Sequence, residues 1–160
     1  MKRLFDIFSS SFAIILFSPI LILVSVAIKL ESKGPIIFKQ DRPGINNTLF
    51  KIYKFRSMKM NAPDIRNQDG STYNSENDSR ITRVGKILRK TSIDEIPQLI
   101  NVIKGDMSIV GPRPDTPEAL EIYKNDESRK LEVKPGITGY NQAFFRNSIP
   151  QVYKFKNDVY

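Results

Sequence analysis

Residues 4–30 are the part of this chain that most limits how it can fold. Their centre, residues 12–28, is apolar except for Ser18, Pro19 and Ser25. A helical run of that length reaches about 26 Å, slightly less than the ~30 Å hydrocarbon core of a bilayer. Pro19 falls in the middle, where it removes a backbone hydrogen bond, so a bend at Ser18 and Pro19 is expected. Lys2 and Arg3 precede the run, and Lys29, Lys33, Lys39 and Arg42 follow it. Basic residues on both flanks leave neither end translocated. That pattern favours a re-entrant helix with both ends on the cytoplasmic face, and even a full span would keep the rest of the chain cytoplasmic. A cleaved signal peptide would need a small-residue site that Lys29-Leu30-Glu31-Ser32-Lys33 does not supply. A buried core helix is the other bland reading, and the length of the run argues against it. The chain thus divides into a membrane helix over residues 1–32 and a cytoplasmic domain over residues 33–160.

The charge balance adds a second constraint. With 25 Lys and Arg against 17 Asp and Glu, the net charge is +8, which points to an anionic partner: nucleic acid, lipid headgroups or a phosphorylated substrate. There is no Cys and no His. Thiolate nucleophiles, imidazole bases and the common zinc sites are excluded, leaving Asp, Glu, Lys, Tyr and Ser for chemistry.

Beyond the apolar run, residues 36–40 and 49–58 read as strands separated by a turn at Arg42-Pro43-Gly44. Period-two alternation puts Lys54 and Arg56 on one strand face, where they are either a solvated edge or a pair of phosphate contacts, and the strand alone favours the edge. Residues 61–79 read as a long polar loop. Residues 80–90 form a basic amphipathic helix with Ile81, Val84, Ile87 and Leu88 on one face, suited to a membrane surface. Neither interleaved aromatics nor a docking motif accompanies it, so no nucleic-acid partner is expected. A further helix is expected from Thr116 to about Lys130, started by a Thr cap and Pro117.

Residues 91–114 carry the densest set of signals. Ser92 and Glu95 fit a capping box, Pro97 sits in the early helix, and Gly105 stands where a glycine cap ends one. Ile96, Leu99, Ile100 and Ile103 are spaced for one buried face, which places Asp94 and Glu95 at the mouth of a core helix. Taken alone, such an acidic pair is a cap. Adjacent carboxylates can also bind a hard cation such as Mg²⁺, and one of them could attack phosphorus. Arg113, between Pro112 and Pro114, has little backbone freedom and offers a planar fork to phosphate oxygens. The acidic pair, the braced arginine, the basic helix and the apolar anchor together suggest phosphate chemistry at a membrane surface.

Several stretches in order carry a resemblance: Lys2-Arg3 with Phe5-Asp6, Ser18-Pro19, Gly34-Pro35, residues 40–44, 51–58, Thr82-Arg83, Gly85, residues 92–97, Asn101-Val102, 104–113 and 135–139. Through them the chain closely resembles the bacterial sugar transferases, the monotopic polyprenol-phosphate phosphoglycosyl transferases that start surface-glycan assembly. The resemblance implies an α+β, mostly helical protein with an N-terminal re-entrant membrane helix and a cytoplasmic interfacial domain holding a small β-sheet. It implies transfer of a sugar 1-phosphate from a UDP-sugar to undecaprenyl phosphate with Mg²⁺, releasing UMP, at the bacterial inner membrane. By it, Asp94 is the nucleophile that forms a covalent phosphosugar intermediate, and Glu95 assists as base or in metal organisation. Arg113 holds phosphate, and Lys54, Arg56, Arg146 and Asp158 are further substrate contacts. Many relatives have Gly-Trp and then a small polar residue and Gly before the arginine, where this chain has Gly139-Tyr140 and then residues 141–145 before Arg146. Relatives also continue past the segment that ends here at Tyr160 into further interfacial helices. The expected partners are UDP-sugar, undecaprenyl phosphate and membrane lipid, with room for a homo-oligomer. The rival reading is a non-catalytic membrane-surface module that binds anionic lipid through the basic helix.

Overall fold

The computed structural model describes residues 1–63, 65, 78–122, 125–139 and 143. Residues 2–31 form one α-helix, α1 (Lys2–Glu31), which continues through Pro19. The Ser18 hydroxyl donates to the Ile15 carbonyl at 2.7 Å, one turn back from the proline. Over 30 residues the helix is about 45 Å long, and it is long and apolar enough to cross a membrane. Phe8, Phe12, Ile15, Leu16 and Leu23 along it are exposed.

Both ends of α1 are tied to the rest of the chain. At its start, Arg3 donates to the carbonyls of Val102 and Ile103, and Asp6 accepts from Ser108. At its end, the Glu31 carboxylate accepts from the backbone N–H groups of Arg83 and Val84. Those two groups open α2 (Arg83–Thr91), where unpaired N–H donors favour an acidic partner.

The expected strands pair as an antiparallel hairpin, β1 (Ile37–Pro43) with β2 (Leu49–Phe55), Ile37 opposite Phe55 and Pro43 opposite Leu49. Alternation along β2 sends its apolar side chains into two cores. Phe55 packs with Ile28 of α1 and Leu88 of α2. Ile52 packs with Val102 and Met107. The basic helix starts at Arg83, not at residue 80, because Thr82 is its cap: the Thr82 hydroxyl accepts from Gly85 N–H at 2.9 Å. Arg80 stays outside it, buried against Asp78 at 2.6 Å. Gly85 has no room for a side chain, since a Cβ there would lie 2.0 Å from the Ser57 carbonyl oxygen.

The single helix expected from Ser92 is two pieces. Ser92 lies in the left-handed region at φ 59 and ends α2 instead of capping a new helix. Asp94 and Glu95 sit in a 3-10 turn, Ile93–Glu95, and α3 (Gln98–Lys104) follows Pro97. Gly105 ends α3 at φ 98, a backbone conformation that favours glycine. The buried face of α3 also differs from the expected one: Gln98, Asn101 and Val102 are buried, whereas Ile100 is exposed. Asn101 explains the rotation. Its carboxamide accepts from Tyr53 N–H at 3.0 Å and donates to the Lys51 carbonyl at 2.8 Å, pairing the open edge of β2 as a neighbouring strand would.

After Gly105 the chain forms β3 (Ser108–Val110), which pairs in parallel with β4 (Gly136–Thr138), where the sequence reads only as a glycine-punctuated loop. The two strands meet where Gly111 passes Gly136, and a Cβ on Gly136 would lie 2.1 Å from Gly111 N. The helix expected over residues 116–130 is instead 3-10 structure, at Pro117–Ile122 and Asn125–Glu132. The Asn-Asp-Glu-Ser segment at its middle has weak helix propensity.

Replacing Asn101 by Leu keeps the volume and strips two backbone groups of β2 of their partner, each costing about 1–3 kcal/mol when buried. Thermal unfolding of the detergent-solubilised variant should show a midpoint lowered by roughly 5–15 °C. A shift below about 2 °C would mean that Asn101 does not secure the strand edge.

Candidate active site

Three segments distant in sequence bring their polar side chains to one place. β2 carries Lys54 one residue before its end, the 3-10 turn between α2 and α3 carries Asp94 and Glu95, and the loop after β3 carries Arg113. Glu95 is the meeting point. Its Oε1 accepts from Lys54 Nζ at 2.8 Å and from Arg113 Nη2 at 2.6 Å, and its Oε2 accepts from Arg113 Nη1 at 3.3 Å. The fork-on-carboxylate geometry is the bidentate arrangement that arginine makes best. The Arg113 backbone is held as well, because the preceding Pro112 carbonyl accepts from Gly136 N–H at 2.8 Å. One residue beyond Pro114, Asp115 pairs with the buried Lys130 at 2.7 Å.

The two carboxylates, adjacent in sequence, are in opposite electrostatic situations. Burial pushes Glu95 upward, but Arg113 and Lys54 outweigh it and hold its carboxyl at about 2. Asp94 is raised above the usual carboxylate range, chiefly by burial, with Lys54 opposing and Glu95 adding repulsion. Asp94 is therefore not lowered, as a position at a helix mouth would suggest. It lies in the short turn ahead of α3 and is desolvated there. Lys54 is lowered, first by burial and then by Arg113, with Glu95 pulling the other way. Arg113 is raised: burial disfavours its charge, and Glu95 more than compensates.

Lys54 and Arg56 do not project together. β2 ends at Phe55, and the buried Arg56 turns to the end of α1, donating to Lys33 O at 2.7 Å and to Ser32 O at 2.8 Å. It holds the chain where it leaves α1 and does not join Glu95. Ser18 and Pro19 lie in mid-helix, away from this group. Arg146 and Asp158 lie outside the described residues.

The structure adds residues that the sequence does not single out. Arg42, Ile52 and Gln98 line a small cleft with Lys54 and Arg113. Arg89 is half-buried, donates through Nε to Ser57 Oγ at 2.9 Å and lowers the Asp94 carboxyl by its charge. In the sequence Arg89 is one more cation on a basic helix. Its position five residues before Asp94 becomes informative only once Ser92 is known to turn the chain back.

For a divalent cation, the described residues offer no group of three or more His, Cys, Asp or Glu side chains. Mg²⁺ asks for less, one or two carboxylates completed by water and substrate phosphates. Asp94 fits that requirement, since it receives no hydrogen bond from another side chain among the described residues. Glu95 has both oxygens committed to Lys54 and Arg113.

Acid should expose the Glu95 clamp. Its folded-state carboxyl, at about 2, lies below the ordinary 4.5, so the stabilisation is complete above about pH 4.5 and disappears as pH falls toward 2. With a chelator present, the thermal midpoint should fall over that window, and the Glu95→Gln variant should show a shallower fall. Equal slopes would mean that Glu95 is not held by the two cations.

Comparison with known proteins identifies the family. The model of the family described as bacterial sugar transferase matches residues 1–160. A Bacillus subtilis (strain 168) protein named as an uncharacterized sugar transferase, EpsL, is 42% identical over 160 residues, covering 100% of this chain and 76% of that one. A UDP-N-acetylgalactosamine-undecaprenyl-phosphate N-acetylgalactosaminephosphotransferase of Aeromonas hydrophila is 45% identical over 145 residues, 89% of this chain and 33% of its own. A UDP-glucose:undecaprenyl-phosphate glucose-1-phosphate transferase of Klebsiella pneumoniae is 46% identical over 144 residues, 88% of this chain and 30% of its own. The chain thus spans about a third of the length of those two named transferases. On the full-length match to the family model, the chain belongs to the bacterial sugar transferase family.

Proposed function

We propose that this protein is a phosphoglycosyl transferase, moving a sugar 1-phosphate from a UDP-sugar to undecaprenyl phosphate at the cytoplasmic face of the bacterial inner membrane. The observation that carries the reading is the unequal pair: Glu95 neutralised by Lys54 and Arg113, and Asp94 beside it desolvated and without a side-chain partner among the described residues. A carboxylate that is poorly stabilised is the better nucleophile of the two.

In the first step an Asp94 oxygen attacks the phosphorus that bears the sugar. The bond from that phosphorus to the bridging oxygen breaks, its electron pair leaves on oxygen, and UMP departs. An acyl phosphosugar remains on Asp94. In the second step an oxygen of undecaprenyl phosphate attacks the same phosphorus, the aspartyl bond breaks, and Asp94 is regenerated as the lipid diphosphate sugar forms. Lys54 and Arg113, held by Glu95, offset charge on the phosphoryl oxygens. Glu95 acts through those cations, and Asp94 with the substrate phosphates would hold Mg²⁺. When bound, the ion supplies charge neutralisation on the diphosphate.

Membrane placement follows the same logic. Both ends of α1 are hydrogen-bonded to the domain that carries the site. One water-facing domain cannot sit on both sides of a hydrocarbon core about 30 Å thick, so these ties support a re-entrant helix whose two ends share one face. On α2, Ile87 is 63% exposed among Arg83, Lys86 and Lys90, a composition suited to anionic headgroups.

The reconstituted protein, given Mg²⁺, undecaprenyl phosphate and a panel of UDP-sugars, should release UMP with at least one donor. Asp94→Asn should lower that rate by about 1,000-fold or more. If no donor yields UMP while vesicle binding is intact, the protein is a lipid-binding module without this activity. Cysteines introduced at residues 2 and 33 should both be labelled from the cytoplasmic side. Labelling from opposite sides would establish a full span.

A further inference from the structure

The first two turns of α1 carry polar residues that neither anchoring nor the proposed chemistry uses. Asp6 is only 5% exposed. Its Oδ2 accepts from Ser108 Oγ at 2.8 Å and its Oδ1 from Ile109 N–H at 3.3 Å. Lys2 donates to Val110 O at 3.2 Å. Arg3 donates to Val102 O and, at 2.7 Å, to Ile103 O. All three thus grip the stretch from the end of α3 through β3, the chain that separates Glu95 from Arg113.

β3 has two edges to satisfy. One pairs with β4, where Ser108 N–H donates to Pro135 O at 2.9 Å and Gly111 N–H to Thr138 O at 3.0 Å. The amide of Ile109 points the other way, as alternate residues of a strand do, and Asp6 takes it. The membrane helix therefore supplies the second flank of a three-residue strand that is too short to hold itself. Three residues beyond Val110, Arg113 stands between two prolines that restrict its backbone, so a shift of β3 is passed on and not absorbed. Arg3 at the same time holds the far end of α3, whose near end follows Glu95. Gly105, between these contacts, is pressed by the same arginine: a Cβ there would lie 3.3 Å from Arg3 Nη2.

We propose that Asp6 is a positioning residue: by clamping β3 to the membrane helix it sets where the Arg113 fork stands relative to Glu95 and the substrate phosphate. The membrane helix is then part of the active-site framework as well as an anchor. Asp6 touches no reacting atom and acts only through Arg113. The inference rests on the transferase reading for its activity readout alone.

The test is a double-mutant cycle on UMP release in lipid nanodiscs. Asp6→Asn should lower kcat/KM about tenfold, and Ser108→Ala, which removes only the hydroxyl partner, about threefold. In an Arg113→Lys background, where the fork is already lost, the same changes should cost less than about twofold. Full multiplication of the losses in that background, or no loss with either variant alone, would overturn the proposal. Hydrogen exchange of the Ile109 amide is read in parallel and should be at least about tenfold faster in Asp6→Asn. An unchanged exchange rate would also overturn it. If the unsubstituted protein releases no UMP, the transferase reading fails, while the exchange measurement still decides the clamp.

Discussion

The carboxylate of Glu95, held between Lys54 and Arg113, is the interaction on which the rest of the site depends. Two cations brought together and partly buried would repel each other and lose solvation, and a single shared anion offsets both costs. The fold places that anion accurately because each partner comes from a different fixed element. Lys54 stands at the end of a hairpin strand whose open edge Asn101 completes. Glu95 stands in a tight turn between two helices, one closed by Ser92 and the other by Gly105 in left-handed conformations. Arg113 follows a strand pinned by β4 on one edge and by Asp6 on the other. With Glu95 committed to this role, Asp94 is the group to which the proposed reaction assigns the nucleophile.

The apolar helix α1 is joined to that arrangement at both ends. Arg56, two residues past Lys54, donates to the carbonyls of Ser32 and Lys33 just past α1, and Glu31 caps the helix that leads to Asp94. At the other end, Arg3 and Asp6 hold the helix after Glu95 and the strand before Arg113. A helix attached only as a tether would show one connection through a linker. In this chain each site segment has a neighbour bonded to α1, so α1 and the site share one framework.

Much of this was legible in the sequence where the signal is local. The apolar run, the hairpin, the basic helix and the glycine that ends α3 follow from periodicity, turn residues and cap chemistry, and all are present. The convergence of Asp94, Glu95, Arg113 and Lys54 was legible as chemistry and from the family resemblance, but not as geometry. What failed depends on long-range partners. Ile96, Leu99, Ile100 and Ile103 have the right spacing for a buried stripe, yet Asn101 is drawn inward because a strand edge needs its carboxamide. Ser92 has the residue type of a helix cap, yet the chain reverses there. Arg56 shares a strand parity with Lys54, yet the strand stops between them and the end of α1 takes it. The parallel pairing of β3 with β4 joins segments almost thirty residues apart, and no local pattern encodes it. Arg146 and Asp158 fall outside the described residues, so their expected roles stand as the resemblance left them.

The account turns on a division of labour between two neighbouring carboxylates: Glu95 orders the cations and Asp94 reacts. Treating the protein with a turned-over UDP-sugar and Mg²⁺ in the absence of undecaprenyl phosphate, followed by rapid acid quench and peptide mass mapping, tests it most directly. The account predicts a sugar-phosphate mass on the peptide spanning residues 91–104, localised to Asp94 and discharged on adding undecaprenyl phosphate. An adduct localised to Glu95, or UMP release with no adduct formed, would contradict it.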